Sequence, residues 1–328
     1  MSATVFDGKA LVNKIIRRIK RDAELLRQRN HIEVGLGLVL VTGDQVAMAD
    51  TGKIAELASQ AGIKVHIERV AQRNVARKFY PTLEEYAASP FIQGIFIQLP
   101  LPVDIVPMAE VMKRLPPKKD VACLHFINRG ISTYPPHEVE QHVKPPEILA
   151  VTETLKQLEF EIQGGKVVVV GSNATAGMVK MLAGYLYDQG SNVSLLRYSS
   201  IARDDAQGSK IKQLESGGEK DRENYSFVIN PEGEAVITWA NHPGWLSRTR
   251  LSPQSTVIDL GYKFARGKIS GDCDFMSVVS SAKAITPVPG GIRTITYAMV
   301  LQNLIDLINI QLEEKDGGSK ASLKRRFK

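Results

Sequence analysis

The loop Gly171-Ser172-Asn173-Ala174-Thr175-Ala176-Gly177 follows an all-valine strand and opens a helix. In that context backbone N–H groups and the positive end of the helix dipole face an anion such as a pyrophosphate. Five residues separate the glycines, so the spacing is not GxGxxG, and a tight strand-to-helix turn that binds nothing is the alternative. Four other segments set polar side chains beside proline or glycine. They are Gln98-Leu99-Pro100-Leu101-Pro102, Lys119-Asp120-Val121, Gly271-Asp272-Cys273-Asp274-Phe275 and Pro287-Val288-Pro289-Gly290-Gly291. The two cysteines, Cys123 and Cys273, have neither CxxC spacing nor a disulfide pattern, so no metal site is expected.

Positioning such residues requires a scaffold, and the apolar pattern predicts one. Leu11, Ile15, Ile19, Ala23 and Leu26 repeat at helical spacing over 8–29. Residues 34–41 form an apolar run of buried-strand length, followed by a helix near 46–61, a strand at 64–70, a helix at 82–88 and a buried strand at 94–99. This alternation predicts a parallel sheet covered by helices on both faces. A proline-rich stretch (Pro135, Pro136, Pro145, Pro146) leads into a helix near 147–158, a natural linker. A second unit follows: strand 166–171, helix 177–188, strands 193–196, 235–238 and 256–260, and a long final helix over 295–310. The segment 203–233 is rich in Gly, Ser, Lys, Glu and Asp, which suits a charged surface insertion.

With 328 residues and a hydrophobic content of 43%, the chain holds two ordinary domains. It has no unbroken run of 18 apolar residues, so no membrane span is expected. The formal net charge is +7. Lys14, Arg17, Arg18, Lys20, Arg21, Arg27 and Arg29 crowd the first helix, and Lys320, Lys324, Arg325, Arg326 and Lys328 fill the tail. Such charge could hold nucleic acid or another anionic surface; a solvated helix face and a disordered tail are the alternative. The start of the chain does not read as a secretory signal, which points to a mitochondrial or cytoplasmic protein, with the mitochondrion favoured.

The ordered motifs QLPLP, KDV, GDCDF and PVPGG resemble those of the bifunctional methylenetetrahydrofolate dehydrogenase/methenyltetrahydrofolate cyclohydrolase family, from Phe6-Asp7-Gly8-Lys9 to near Gln311. The resemblance implies two three-layer α/β domains with an interdomain cleft, the C-terminal one Rossmann-like. The expected boundaries are 1–146 for a folate-type domain completed by a helix at 294–312, 147–290 for the NAD(P)-type domain, and 313–328 for a basic tail. It also implies a homodimer and two reactions. Hydride passes from the folate methylene to nicotinamide, and the methenyl ring is then hydrolysed.

The family keeps a Tyr and a Lys four residues apart on the second helix, the Lys polarising the folate ring and serving in proton transfer. Here Asp50 stands at the Tyr position and Ile54 at the Lys position. Lys53 is one residue off, and one helical step rotates a side chain by about 100°. A local bulge would be needed to bring it in. Gln98 matches the Gln that supports the Lys. KDVDG becomes Lys119-Asp120-Val121-Ala122-Cys123, and Ala122 cannot bond the pterin, a loss of about 1–3 kcal/mol for a buried donor. Something near Val143-Lys144-Pro145-Pro146 replaces Pro-Cys-Thr-Pro. Asp120, Pro289, Gly290 and Gly291 are the substrate-binding positions retained. Arg293 puts a long cation in the folate loop and suggests a filled site. On the cofactor side Gly171, Ser172, Gly177 and Arg197 occupy family positions, but the phosphate-holding Arg and Ser are replaced by Ser172 and Asn173. Arg197 could still meet a 2′-phosphate; a surface role is the alternative.

Turn-forming residues are kept where ligand-contacting ones change. That pattern predicts a non-catalytic protein without a cofactor, built into a larger assembly such as a mitochondrial ribonucleoprotein or ribosome, with protein partners and RNA on its basic helix and tail. The alternative is an active NAD- or NADP-dependent methylenetetrahydrofolate dehydrogenase lacking cyclohydrolase activity. A third reading is a nucleotide- or RNA-binding module that uses the turn at 171–177.

Overall fold

The computed structural model describes residues 2–102, 104–134, 143–198, 234–265 and 268–315. Along the chain these form β1 (Thr4–Val5), α1 (Gly8–Asn30), β2 (Gly35–Val41), α2 (Gln45–Gln60), β3 (Lys64–Val70), α3 (Val75–Ala88) and β4 (Gly94–Ile97). Then come α4 (Met108–Met112), α5 (Phe126–Ile131), α6 (Pro146–Gln157), β5 (Lys166–Gly171), α7 (Ala176–Asp188) and β6 (Asn192–Arg197). The last are β7 (Ala235–Trp239), β8 (Thr256–Asp259), β9 (Lys263–Ala265), β10 (Lys268–Ser270), α8 (Phe275–Val279), β11 (Ala284–Ile285) and α9 (Ile292–Lys315). The expected insertion at 203–233 and the tail from 316 lie outside the described residues, as do Pro135 and Pro136 of the linker.

Two compact units divide the chain, and each is discontinuous in sequence. One joins Ala10–Ala150 to the chain from Thr294 onward; call it the first-sheet unit. Its parallel sheet has the order β3-β2-β4. Every residue of β2 is buried, so both faces of the central strand are covered, as expected of a wholly apolar strand. Helix α1 buries Leu11, Ile15, Ile19, Ala23 and Leu26 and leaves Lys14, Arg17, Arg18, Lys20, Arg21, Arg27 and Arg29 exposed. Helix α3 begins seven residues earlier than its expected start at 82. It runs through Pro81 because Val75, Phe79, Leu83 and Tyr86 form one buried stripe. That burial outweighs the bond a proline removes from a helix interior. By length and composition alone α9 could cross a membrane. Instead, its Ile295, Ala298, Leu301, Leu304 and Ile305 are buried in the protein, as in a core helix.

The second unit joins the first nine residues to Val151–Arg293. Its sheet, β1-β11-β8-β7-β5-β6, is parallel throughout. The sequence boundary at 146 therefore needs correction at the start of the chain. Thr4 and Val5 pair with Ala284 and Ile285, which draws the first nine residues into this unit. Strands β6 and β7 flank β5 on opposite sides, so the strand order reverses at β5. In doubly wound sheets ligands bind outside the carboxyl ends of the strands at such a reversal.

Candidate active site

In the first-sheet unit, α2 sets the geometry. Asp44 caps it by accepting from the Ala47 N–H at 2.9 Å. One face then buries Ala47, Asp50, Thr51, Ile54, Leu57 and Ala58. Ile54 is fully enclosed at the family's lysine position. Lys53 belongs to another face. Its Nζ donates to both oxygens of Glu56, at 2.8 and 2.9 Å, and its side chain is 40% exposed. The helix runs without the bulge that would have turned Lys53 inward, so the Lys53 candidate is set aside.

Asp50 is buried at 3% exposure, an unusual place for a carboxylate unless it is hydrogen-bonded. The phenol of Tyr297, on α9, donates to its Oδ1. Tyr297 escaped the sequence reading because it lies 247 residues from Asp50. Its only sequence signal is its place directly after the altered folate loop, as a polar aromatic on an apolar helix. Beside Asp50, Thr51 donates from its hydroxyl to the Ala47 carbonyl at 2.8 Å and toward Gln98 Oε1 at 3.4 Å. Gln98 in turn donates to the Leu99 carbonyl at 2.7 Å. The structure thus gathers Asp50 with Tyr297, and Gln98 with Thr51, in one unit.

Asp120 does not serve as a ligand-facing carboxylate. It is fully buried; its oxygens accept from the Leu124 and His125 N–H groups, at 3.0 and 2.8 Å, and from Asn128 Nδ2 at 3.0 Å. It organises the loop leading into α5. Ala122 packs partly buried against the unit's core.

In the second unit the turn after β5 is held from within. Ser172 N–H donates to Thr175 Oγ1 at 2.9 Å, and that hydroxyl donates to the Trp239 carbonyl at 2.6 Å, tying the ends of β5 and β7. A Cβ on Gly171 would lie 2.6 Å from Val179, so this glycine is required by packing. Gly177 differs: a Cβ there would meet nothing within 4 Å. Packing therefore demands the first of the two glycines and not the second. The space left at Gly177, in the first turn of α7, suits an incoming anionic group. Arg197, at the end of β6, donates to Asn173 Oδ1 at 3.0 Å and so stands over the same turn. Tyr198, the next residue, stacks on His242 with centroids 4.0 Å apart, a pairing not anticipated from sequence.

Backbone geometry accounts for the other glycines expected to bind substrate. Gly290 has φ +105°, and a Cβ on Gly291 would meet the Pro287 carbonyl at 2.5 Å; Pro289 follows a cis bond in the same loop. Arg293 stacks on the Tyr262 ring, 3.7 Å from its centroid, so that ring engages the cation read as filling the folate loop. The Asp272 of the GDCDF motif is fully buried. It accepts from Thr238 Oγ1 and the Ala240 and His242 N–H groups at 2.8, 2.6 and 2.7 Å. Burial, reinforced by the adjacent Asp272 charge, pushes the Asp259 carboxyl up to about 6.

A parallel sheet with a strand reversal, a phosphate-type turn at that reversal and a second α/β unit define a two-domain α/β protein with one Rossmann-like nucleotide-binding unit. The chain belongs to the tetrahydrofolate dehydrogenase/cyclohydrolase family. Residues 6–122 match its catalytic domain and residues 224–312 its NAD(P)-binding domain. The bifunctional protein FolD of Desulforamulus reducens is 26% identical over 310 residues, covering 94% of this chain and 98% of its own. The crystal structure of the bifunctional FolD enzyme from Campylobacter jejuni is 26% identical with a TM-score of 0.77, covering 94% of this chain and 99% of that one. The Trypanosoma brucei enzyme, solved with NADP and an inhibitor, shares the fold at a TM-score of 0.80 and 22% identity, covering 95% of this chain and 99% of its own. These matches correct two expectations. A structural role in a ribonucleoprotein is overturned, because the relatives that span the chain are dehydrogenase/cyclohydrolases. The absence of a cofactor loses its support, because residues 224–312 match the family's NAD(P)-binding domain.

Proposed function

We propose that this chain is an NAD(P)-dependent 5,10-methylenetetrahydrofolate dehydrogenase that lacks cyclohydrolase activity. The observation that carries the reading is the replacement of the site's amine by Ile54, fully buried, with Lys53 turned out to Glu56. The two reactions depend on an amine differently. Hydride loss from a carbon bridging two nitrogens leaves a cation shared between those nitrogens, and no proton moves. Hydrolysis of that cation requires water to give up both its protons as the carbonyl forms, one passing to the departing ring nitrogen and one to solvent, work suited to a tuned base. Loss of the amine therefore removes the second step and spares the first.

The second unit's residues fit a dinucleotide. Gly177 leaves room at the start of α7 for a pyrophosphate, and Arg197 with Asn173 presents donors beside the same turn. When bound, the nicotinamide would supply the hydride acceptor. Gln98 and Thr51, tied to one another, would orient the folate ring in the first-sheet unit.

Purified protein given methylenetetrahydrofolate with NAD or NADP should form reduced nicotinamide and methenyl product in equal amounts, the methenyl ring accumulating. Lys53→Ala should change turnover by less than about twofold, as expected of an exposed ion pair. Absence of reduced nicotinamide with either cofactor would sink the reading.

Gly177→Ala separates fold from cofactor. Alanine suits a helical position with open space around it, so stability should rise by about 0.5–1 kcal/mol in thermal unfolding. The added methyl would occupy the approach to the turn, and the KM for the nicotinamide cofactor should increase. A stabilised variant with unchanged cofactor KM would remove Gly177 from the binding site.

A further inference from the structure

We propose that the second unit selects NADP over NAD, and that Arg197 is the residue that reads the adenosine 2′-phosphate. The inference rests on the nicotinamide-dependent reading above and names its cofactor. In a dinucleotide-binding unit the strand after the phosphate turn ends beside the adenosine ribose, about twenty residues beyond the glycines. An acid at that strand end accepts from the 2′-hydroxyl of NAD, whereas an arginine there accommodates the 2′-phosphate of NADP. Here the strand is β6, whose residues Asn192–Arg197 contain no acid and end in the cation. In the parallel ladder Arg197 pairs with Gly171, the last residue of β5 and the first of the turn. The cation is thus carried by the neighbouring strand, while the turn itself holds the neutral Ser172 and Asn173.

The surroundings of Arg197 suit a phosphate. Its side chain is exposed, and among the described residues no carboxylate is paired with it. Its Nη1 donates to Asn173 Oδ1 at 3.0 Å, which holds the guanidinium against the turn and leaves its other N–H donors for a ligand. With Oδ1 engaged, Asn173 keeps its amide nitrogen as a further donor. The strand end is held in place, since the next residue, Tyr198, stacks on His242 and packs against the unit's core. A guanidinium offers a phosphate two parallel charge-assisted bonds, each about twice as strong as a neutral one. NAD presents only a neutral hydroxyl at this place, and β6 has no carboxylate to accept its proton.

The test measures the binding of NADP and of NAD to the full chain by calorimetry without folate, so that the readout does not depend on turnover. Wild-type protein should bind NADP more tightly by about tenfold or more. That preference should shrink as salt is raised, since the screening length contracts to about 3 Å at 1 M. Arg197→Ala should bring the two affinities to within about twofold of each other. Arg197→Lys keeps the charge but loses the fork and should retain part of the preference, and Arg197→Glu should turn it toward NAD. Wild-type protein that binds the two equally, and reduces either with methylenetetrahydrofolate, would overturn the proposal and leave the dehydrogenase reading standing. A preference untouched by salt or by Arg197→Ala would overturn it too, placing the 2′-phosphate against another group. Preference for NADP with no reduction of it would sink the dehydrogenase reading and leave the assignment of Arg197. If neither dinucleotide binds, both fall. The salt series needs no variant, so it decides the outcome even where a substitution disturbs the fold.

Discussion

Replacing Asp272 with alanine should lower the stability of the unit built on Val151–Arg293 by about 3–5 kcal/mol. The carboxylate satisfies the Thr238 hydroxyl and two backbone N–H groups, Ala240 and His242, while fully buried. Alanine leaves all three without an acceptor, and each such orphan costs about 1–3 kcal/mol before relaxation. Against a typical total of about 5–15 kcal/mol, that is a large fraction. The effect should spread beyond the loop. Asp259 accepts from the Asp272 and Cys273 N–H groups at 3.0 and 2.9 Å, so the segment that carries Asp272 is anchored to both β7 and β8. Both tryptophans, Trp239 and Trp245, lie in this unit, so urea unfolding followed by tryptophan fluorescence reports on it selectively. Asp272→Asn keeps one acceptor and should fall between wild type and alanine. A loss below about 1 kcal/mol for alanine would show that water or a rearranged loop replaces the carboxylate.

Asp120→Ala should have a comparable effect in the other unit, about 3–4 kcal/mol, by the same orphaning of buried donors. Here the donors are the Leu124 and His125 N–H groups and the Asn128 side chain. The loop they shape includes Cys123 at φ 53°, a left-handed conformation that needs outside support. The measurement is hydrogen exchange over residues 120–131, where protection should collapse in the variant. Weakened folate binding with protection unchanged would return Asp120 to a ligand-contacting role.

Much of the fold was readable because burial writes itself into the sequence as period. The strand Lys64–Val70 falls where its residues predict, and β2 declares itself by an unbroken apolar run. Helix α3 starts before the expected 82 because the stripe Val75, Phe79, Leu83, Tyr86 carries it through Pro81. The family was legible in its turn motifs. Its consequences at the site were not, for a physical reason. Comparing positions one at a time shows a tyrosine lost at Asp50, but not that a phenol from α9 meets the same carboxylate. Nor can spacing tell a glycine demanded by packing, Gly171, from one with empty space around it, Gly177. Counting substitutions as independent losses led toward a protein without chemistry, and the relatives that span the chain point the other way.

The path of the chain through its two units bears on how the protein can be made. Thr4 and Val5 wait for Ala284 and Ile285, and Asn303 on α9 donates to the Val121 and Lys144 carbonyls. Each unit is thus completed by a segment far along the chain from its first elements, and β1 and the Val121 carbonyl stay without these partners until that segment is made. Such long sequence separations slow folding and prolong the exposure of apolar surface, so chaperone demand is built into the connectivity. The same connectivity limits dissection. A fragment ending before Ile292 lacks α9, and one starting after Lys9 lacks the edge strand β1. Either unit could be produced alone only after its two segments were joined in a new order.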